Sequence, residues 1–118
     1  MEPLITLKLN KEFKRAYYRG HFRSSPILTS YLIPNGRGVN RVGITTPKKM
    51  GKAVKRNRAR RVIRAAYVLV RERLTFPQGY DLVFVARDKT AEVKSTELAK
   101  AMEKQLYALI HEKPRKKK

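Results

Sequence analysis

The sequence predicts an α+β fold, a two-layer sandwich in which helices pack on a small mixed sheet. Two observations lead to this fold: hydrophobic residues recur with helical spacing in separate segments, and strand-type runs lie between those segments. A third is that the 118 residues show no internal repeat or domain boundary, so we expect one domain over residues 1–112. The expected order is α-β-β-(β)-α-β-α, the bracketed strand being optional.

The first helix is expected over residues 10–20. Asn10 is placed to cap it, and Glu12 lies in the first turn, where the helix dipole favours an acidic side chain. Gly20 fits the position that follows the last turn. The helical spacing is carried by Phe13, Ala16 and Tyr17.

Two strands and a turn follow this helix. Residues 27–33 are rich in β-formers, Pro34-Asn35-Gly36 is a turn signal, and residues 39–46 form a second strand-type run. Because the turn lies directly between the two runs, we expect them to pair as a hairpin. A short extra strand around residues 21–24 is left open.

The longest helix is predicted over about residues 54–74, after Pro47. Its hydrophobic stripe consists of Ala59, Val62, Ile63, Ala66, Val70 and Leu74. At about 100° per residue, the opposite face carries Asn57, Arg60, Arg61 and Arg64, with Arg56 and Arg58 on the two flanks. We therefore expect a helix that buries one side and exposes arginines on the other.

The remainder of the chain predicts a loop, a strand, a helix and a tail. Residues 76–79 form the loop, and residues 80–86 are a nearly continuous apolar run, typical of an inner strand. If that strand runs parallel to the one before the long helix, the connection should by default be right-handed. Ser95 or Thr96 can cap a final helix, and residues 113–118 are expected to be a disordered basic tail. The final helix should bury Leu98, Met102, Leu106, Leu109 and Ile110.

The charge of the chain indicates its partner. The net charge is +20, and nine of the seventeen residues from 48 to 64 are Lys or Arg, with no acidic residue among them. The 59 residues between Glu12 and Glu72 hold 16 Lys and Arg and no Asp or Glu. Such a positive potential indicates nucleic acid or an anionic membrane as the partner.

Composition also excludes several classes of protein. The chain has no cysteine, which excludes a disulfide scaffold, a Cys-based zinc site and a Cys nucleophile. No apolar run approaches the length of a membrane span, and no signal-peptide pattern follows Met1. We therefore expect a cytoplasmic protein without a membrane partner.

The arginine-rich helix fits a polyanion better than it fits an ordinary solvated surface. Ordinary helix surfaces mix charges, because like charges four residues apart, such as Arg56/Arg60 and Arg60/Arg64, destabilise the helix. The planar guanidinium can donate two hydrogen bonds to one phosphate. Asn57 can both donate and accept, so it could reach a base edge, a 2′-hydroxyl or a phosphate.

Three aromatic residues fit either of two roles. Phe13, Tyr17 and Tyr31 could pack in the core, or they could form a surface on which bases of single-stranded RNA stack beside positive charge. The hydroxyls of the two tyrosines suit a half-exposed cleft better than a dry core. The pattern alone leaves both roles open.

Three blocks of the sequence resemble the bacterial ribonuclease P protein family. The central block comprises Arg41-Val42-Gly43-Ile44, Lys48-Lys49-Met50-Gly51-Lys52-Ala53-Val54-Lys55-Arg56-Asn57-Arg58 and Arg60-Arg61-Val62-Ile63-Arg64. Residues 7–13, with Tyr17 and Gly20, are similar to the family's first helix, and residues 80–87 are similar to its last strand. The resemblance covers about residues 7–110. Pro47 departs from the pattern, which usually has a small polar residue there.

The resemblance implies a long helix in an unusual left-handed crossover, which replaces the right-handed default. It implies an accessory subunit of a ribonucleoprotein that removes the 5′ leader from precursor tRNA, with RNA as the catalyst. The residues expected to bind the catalytic RNA are Lys52, Lys55, Arg56, Asn57, Arg58, Arg60, Arg61 and Arg64. The residues expected to hold the leader, between the first helix and the sheet, are Phe13, Tyr17 and Tyr31, with Lys48 and Lys49 nearby.

No catalytic or metal-binding residue is expected in the protein itself. The Mg²⁺ that the resemblance implies for the holoenzyme should be held by RNA and substrate phosphates, and the free protein should be a monomer. A nuclease site made of His21, His111 and lysines is an alternative, and the carboxylates show no motif spacing for a two-metal site. Those carboxylates are Glu2, Glu12, Glu72, Asp81 and Asp88. A ribosomal or general RNA-binding protein also fits, whereas no docking motif supports DNA binding.

Overall fold

The computed structural model describes residues 4–74 and 77–111, so the basic tail expected at 113–118 lies outside the described residues. Within these ranges the chain forms three helices and four strands. They are α1 (Asn10–Arg19), β1 (His21–Ser25), β2 (Leu28–Pro34), β3 (Arg41–Thr45), α2 (Ala53–Arg73), β4 (Tyr80–Ala86) and α3 (Ser95–His111). Short 3₁₀ turns precede α2 and α3, at Lys48–Met50 and Asp88–Glu92.

The sheet is mixed, with the strand order β1-β2-β4-β3. β2 pairs antiparallel with both β1 and β4, whereas β3 pairs parallel with β4. The α+β class predicted from the sequence is therefore confirmed. α2 connects the two parallel strands, and the left-handed course of this crossover stays a prediction of the resemblance.

The predicted hairpin between residues 27–33 and 39–46 is wrong, because β4 lies between β2 and β3. β2 instead forms its hairpin with β1, the strand that the sequence left open. The apolar character of β4 explains the arrangement. Residues 81–84 of this strand are all buried, so β4 gains most from a position with a neighbour on each side.

Side chains alternate along the strands, so the sheet has two different faces. On one face, Leu32, Leu82 and Phe84 pack with α2 and α3 in the main core. On the other face, Ile33 and Val83 pack with Ala16 of α1 in a smaller cluster. α1 therefore lies on the opposite side of the sheet from α2 and α3, and it covers only part of its face.

The start of α1 differs from the prediction, whereas Gly20 follows the last turn as predicted. Leu9, and not Asn10, occupies the cap position, and the Glu12 carboxylate accepts hydrogen bonds from the backbone N–H groups of Lys8 and Leu9. Gly20 ends the helix with φ −76°, so it is not in the left-handed conformation. Lack of space explains why position 20 is a glycine, because a Cβ there would lie 2.5 Å from the carbonyl oxygen of Ala16.

The stripes predicted for the two longer helices are largely buried. On α2, Tyr67 is buried in addition to the predicted residues, while Val62 and Leu74 are only partly buried. On α3 all predicted members are buried except Ile110, which is partly buried. Ser95 and Thr96 do not cap α3, because the helix begins at Ser95 and they are its first two residues.

A buried ionic network ties α1 to the sheet. The Arg41 guanidinium donates two hydrogen bonds of 2.8 Å to Asp81, and it also donates to Glu12 of α1. Asn35 donates to the Asp81 carboxylate as well, at 2.9 Å. Hydrogen bonds from the backbone and from Arg41 lower the pKa of Glu12. The hydrogen bond to Asp81 raises the pKa of Arg41, so Arg41 is protonated at neutral pH.

Candidate nucleic-acid interface

The segment before α2 presents lysines around a buried anchor. Met50 is buried in the main core, whereas Lys48, Lys49 and Lys52 are exposed. Gly51 follows with φ +101°, a conformation that side-chain-bearing residues rarely adopt. The Lys-Lys-Met-Gly-Lys sequence therefore fixes its methionine inside and directs its lysines outward at the start of α2.

The outward face of α2 carries exposed Asn57, Arg61 and Arg64, as the sequence predicted. We call these three residues the arginine face. The helix buries Ala59 and Ile63 on its other side, so it cannot turn these side chains inward. The arginine face is therefore a rigid polar surface with donors suited to phosphate.

Arg60 does not belong to this face, contrary to the sequence prediction. It is partly buried, and it donates to the hydroxyl of Thr46 at 2.9 Å and to the carbonyl of Ile44. The helical-wheel position placed it outward, but its long side chain bends back to the end of β3. Arg60 therefore braces α2 against the sheet, and only its remaining N–H groups could reach a ligand.

The other basic side chains of α2 lie on its flanks. Arg58 is exposed, but its Nε donates to the Ala91 carbonyl at 2.7 Å, which ties α2 to the turn before α3. Lys55 lies 4.0 Å from the Asp88 carboxylate. The buried Nε of Arg56 has no hydrogen-bond partner in the described part of the chain. The residues predicted to bind RNA thus fall into two groups. Asn57, Arg61 and Arg64 are exposed on the arginine face, whereas Arg58 and Arg60 also hold α2 to neighbouring backbone or side-chain groups.

An aromatic cleft opens beside α1, on the sheet face away from α2. The Tyr17 and Tyr31 rings meet edge to face with centroids 5.1 Å apart, and Phe22 lies 5.4 Å from Tyr31. The Tyr17 hydroxyl is hydrogen-bonded to the Thr45 hydroxyl at 2.6 Å, which fixes the ring above β3. We call Tyr17, Phe22 and Tyr31 the aromatic cleft.

A cavity of about 470 Å³ adjoins the Tyr31 ring. Its lining combines Tyr31 and Val85 with the basic side chains Lys49, Arg87 and Lys89. Asp88 is the single acidic residue among the residues that line it. Aromatic surface beside excess positive charge is the combination that single-stranded nucleic acid requires.

Two of the residues predicted for the cleft, Phe13 and Lys48, are not among those that line the cavity. The Phe13 ring packs in the small cluster under α1, directly over Gly43, where an added Cβ would lie 2.5 Å from the ring. Lys48 is exposed on the 3₁₀ turn and does not line the cavity, whereas its neighbour Lys49 does. Phe13 is partly buried and packs against Gly43 on the same sheet face as the aromatic cleft, and its contact with the leader stays a prediction.

Sequence reasoning missed Phe22, Arg87 and Lys89. Phe22 is 57% exposed and reaches Tyr31 because the two residues are paired in register across β1 and β2. That pairing follows from the true hairpin, which the sequence did not predict. Arg87 and Lys89 follow the end of β4, and a basic pair just after a buried strand was the only local signal for them.

The alternative nuclease residues do not form a recognisable site. His21 begins β1, and His111 ends α3, where it packs on Tyr107. Glu12 and Asp81 are both engaged by Arg41. Across residues 4–74 and 77–111, no group of three His, Asp or Glu side chains could hold a metal ion, and Glu2 lies outside these ranges.

Comparison with known proteins identifies the family. A family model described as Ribonuclease P matches residues 1–109. The Ribonuclease P protein component of Caldanaerobacter subterraneus subsp. tengcongensis is 43% identical over 105 residues, which is 89% of each chain. The chain belongs to the ribonuclease P protein family. The component of Clostridium botulinum is 38% identical over 96 residues, covering 81% of this chain and 86% of the relative.

The fold agrees with this membership. The ribonuclease P protein of Staphylococcus aureus superposes with a TM-score of 0.73, covering 92% of this chain and 97% of that chain at 24% identity. This likeness concerns the fold, while the family rests on the sequence matches. A ribosomal or general RNA-binding protein is not favoured by these matches. In the described part of the chain, every helix is too short or too polar to cross a bilayer.

Proposed function

We propose that this ribonuclease P protein binds the catalytic RNA through α2 and the 5′ leader of precursor tRNA through the aromatic cleft. In this proposal the protein assists endonucleolytic removal of the leader in the cytoplasm, and the RNA subunit performs the chemistry. The observation that carries the proposal is the open Tyr17–Tyr31 ring pair beside Lys49, Arg87 and Lys89.

The contact with the catalytic RNA is assigned to the arginine face and its flanks. Arg61 and Arg64 are exposed and lie on one helix, so the backbone from which they reach phosphates is already ordered. Arg58 and Arg60 each keep free N–H groups besides the bonds that brace them. Each phosphate neutralised in this way should release condensed counterions and make binding depend on salt.

The contact with the leader is assigned to the aromatic cleft. Stacking of one base on an aromatic side chain is worth about 1–3 kcal/mol, and it tolerates any base. The adjacent Lys49, Arg87 and Lys89 can neutralise the backbone of the same strand. Stacking together with charge explains how one cleft could accept the different leaders of many precursor tRNAs.

Among the described residues no group of His, Asp or Glu side chains could hold a metal ion, and the carboxylates of Asp81 and Glu12 are bound by Arg41. We therefore assign Mg²⁺, which would activate the attacking water, to phosphates of the RNA. The protein's own contribution is positive charge, which lowers the repulsion between the RNA subunit and its substrate.

The test is leader removal from a precursor tRNA at low Mg²⁺, with protein alone, bacterial ribonuclease P RNA alone, and both together. We expect efficient cleavage only in the combined reaction. Cleavage by the protein alone would contradict the assignment of the chemistry to RNA. If the protein fails to stimulate a competent RNA, the general RNA-binding alternative replaces the proposal.

Affinity measurements assign the two surfaces. Tyr31→Ala should weaken binding of precursor tRNA to the holoenzyme but not binding of mature tRNA, which lacks the leader. Tyr107→Ala is the matched control, because Tyr107 is also partly exposed but lies on α3. Equal loss for both tRNAs would contradict the cleft assignment. Sedimentation of the free protein tests the expectation that it is a monomer.

A further inference from the structure

α1 carries a second cationic surface that the proposed function does not use. Its outward side presents exposed Lys11, Lys14, Arg15, Tyr18 and Arg19. A groove of about 620 Å³ runs between these side chains and the loop that contains Asn35 and Arg37. We call this set of seven residues the outer α1 surface.

The positive charges of this surface are not neutralised by carboxylates of the described residues. In the described part of the chain, no carboxylate lies within ion-pair distance of Lys11, Lys14, Arg19 or Arg37. Glu12, the one acidic residue that lines the groove, is bound to Arg41. Lys11/Arg15 and Arg15/Arg19 are like-charge pairs four residues apart, which destabilise a helix unless an anion offsets them.

Tyr18 stands among these charges with its ring in solvent. It is 82% exposed, more than any other large hydrophobic side chain in the described residues. Burial in the protein does not explain this tyrosine, because so little of it is covered. An exposed ring flanked by cations is the arrangement on which an unpaired base stacks while its phosphates are neutralised.

The position of the surface decides which RNA could reach it. α1 lies on the sheet face opposite α2, so an RNA bound along the arginine face does not pass over it. The aromatic cleft, in contrast, is directly adjacent. Tyr17 faces the cleft, and Tyr18, the next residue of the same helix, points about 100° away to the outer side. By the same rotation Lys14 lies between Tyr17 and Tyr18, so a strand that leaves the cleft across α1 reaches Lys14 and Tyr18.

We propose that the outer α1 surface binds the upstream part of a long 5′ leader, as single-stranded RNA that continues from the aromatic cleft. One base stacks on Tyr18, and the flanking phosphates contact Lys14 and Arg19. This inference rests on the proposed function of the cleft and extends it. It predicts that precursors with long leaders gain affinity from residues that precursors with short leaders do not contact.

The experiment measures the affinity of the holoenzyme for two precursors of the same tRNA. One leader is short enough to end within the cleft, and the other extends well beyond it. Tyr18→Ala should weaken binding of the long-leader precursor by about fivefold or more, the lower limit for stacking one base, and leave the short-leader precursor unchanged. Lys14→Gln should reduce the salt slope for the long leader alone, by about 0.7 for a single-strand phosphate.

Matched controls lie on α3, where Tyr107→Ala and Lys100→Gln remove an exposed ring and an exposed charge. Circular dichroism and thermal unfolding confirm that each variant is folded. If Tyr18→Ala affects both precursors equally, or neither, the inference is overturned. Tyr31→Ala separates this failure from failure of the proposed function, since it should weaken both precursors. If Tyr31→Ala weakens neither, the cleft assignment itself fails.

Discussion

Replacing Arg41 should markedly destabilise this protein. Arg41 donates two hydrogen bonds to Asp81 and one to Glu12. The Asp81 side chain is only 1% exposed. In Arg41→Met, this carboxylate would keep Asn35 as its remaining side-chain donor and would stay out of water. The exchange keeps much of the side-chain volume and removes the charge.

The expected loss follows from that buried charge. Breaking a buried ion pair by removing one partner costs about 3–5 kcal/mol. Arg41 is 12% exposed, so water can reach part of the vacated space, and we expect about 3 kcal/mol. A domain of this size has a total stability of about 5–15 kcal/mol, so the variant should be markedly easier to unfold.

Urea unfolding followed by circular dichroism at neutral pH measures this loss. The buffer should contain no phosphate or sulfate, because anions that bind the basic surfaces stabilise the folded state by mass action. Arg37→Met is the matched control. Arg37 is exposed and lacks a carboxylate partner among the described residues, so its loss should stay within about 0.5 kcal/mol.

A second variant separates the buried charge from lost packing. Arg41→Met combined with Asp81→Leu removes both charges, so it should be more stable than Arg41→Met alone. A loss of less than about 1 kcal/mol in Arg41→Met would refute the reasoning, because Asp81 would then have found water or another partner.

Three further predictions address α1, the sheet and α2. Glu12→Gln should lower stability at neutral pH and have less effect in acid. The folded-state pKa of Glu12 is lowered, so the ionised carboxylate stabilises the fold above the ordinary carboxyl pKa, and this stabilisation is lost as the pH falls through the folded-state pKa. An equal loss of stability at all pH values would contradict this reasoning. Gly43→Ala should lower the stability measured by thermal unfolding by about 1–3 kcal/mol, because the added Cβ would meet the Phe13 ring. Gly38→Ala is the control and should leave the stability unchanged, because its added Cβ would have no atom within 4 Å. Arg61→Ala should reduce the log–log salt slope for catalytic-RNA binding by about 0.7–0.9, and an unchanged slope would exclude a phosphate contact there.

Local patterns predicted the helices well because helical periodicity depends only on neighbours in sequence. α2 was expected over residues 54–74 and is observed at Ala53–Arg73. Strand pairing depends on contacts between distant residues, and the pairing predicted from the sequence was wrong. The Pro34-Asn35-Gly36 turn suggested a hairpin, whereas the apolar β4, far along the chain, inserts beside β2. Nothing in the sequence of residues 27–46 predicts that β4 lies between β2 and β3.

The same distinction between local and long-range contacts holds for the candidate site. Asn57, Arg61 and Arg64 were predictable because a helix fixes which residues share its outward face. Arg60 was misplaced, because a long side chain can bend back to a partner such as Thr46, which periodicity does not describe. Phe22 was missed because its contact with Tyr31 requires the β1–β2 register.

Two of the acidic residues are engaged inside the fold and are not part of the arginine face or the aromatic cleft. Glu12 and Asp81 both bind Arg41 inside the protein, and together they fasten α1 to the sheet. Because α1 carries Tyr17, the same contacts hold one wall of the aromatic cleft against Tyr31. Glu12 and Asp81 therefore help to position the cleft while their own charges are bound to Arg41. Loosening Arg41 should accordingly weaken leader binding more than catalytic-RNA binding, since α2 packs on the other face of the sheet.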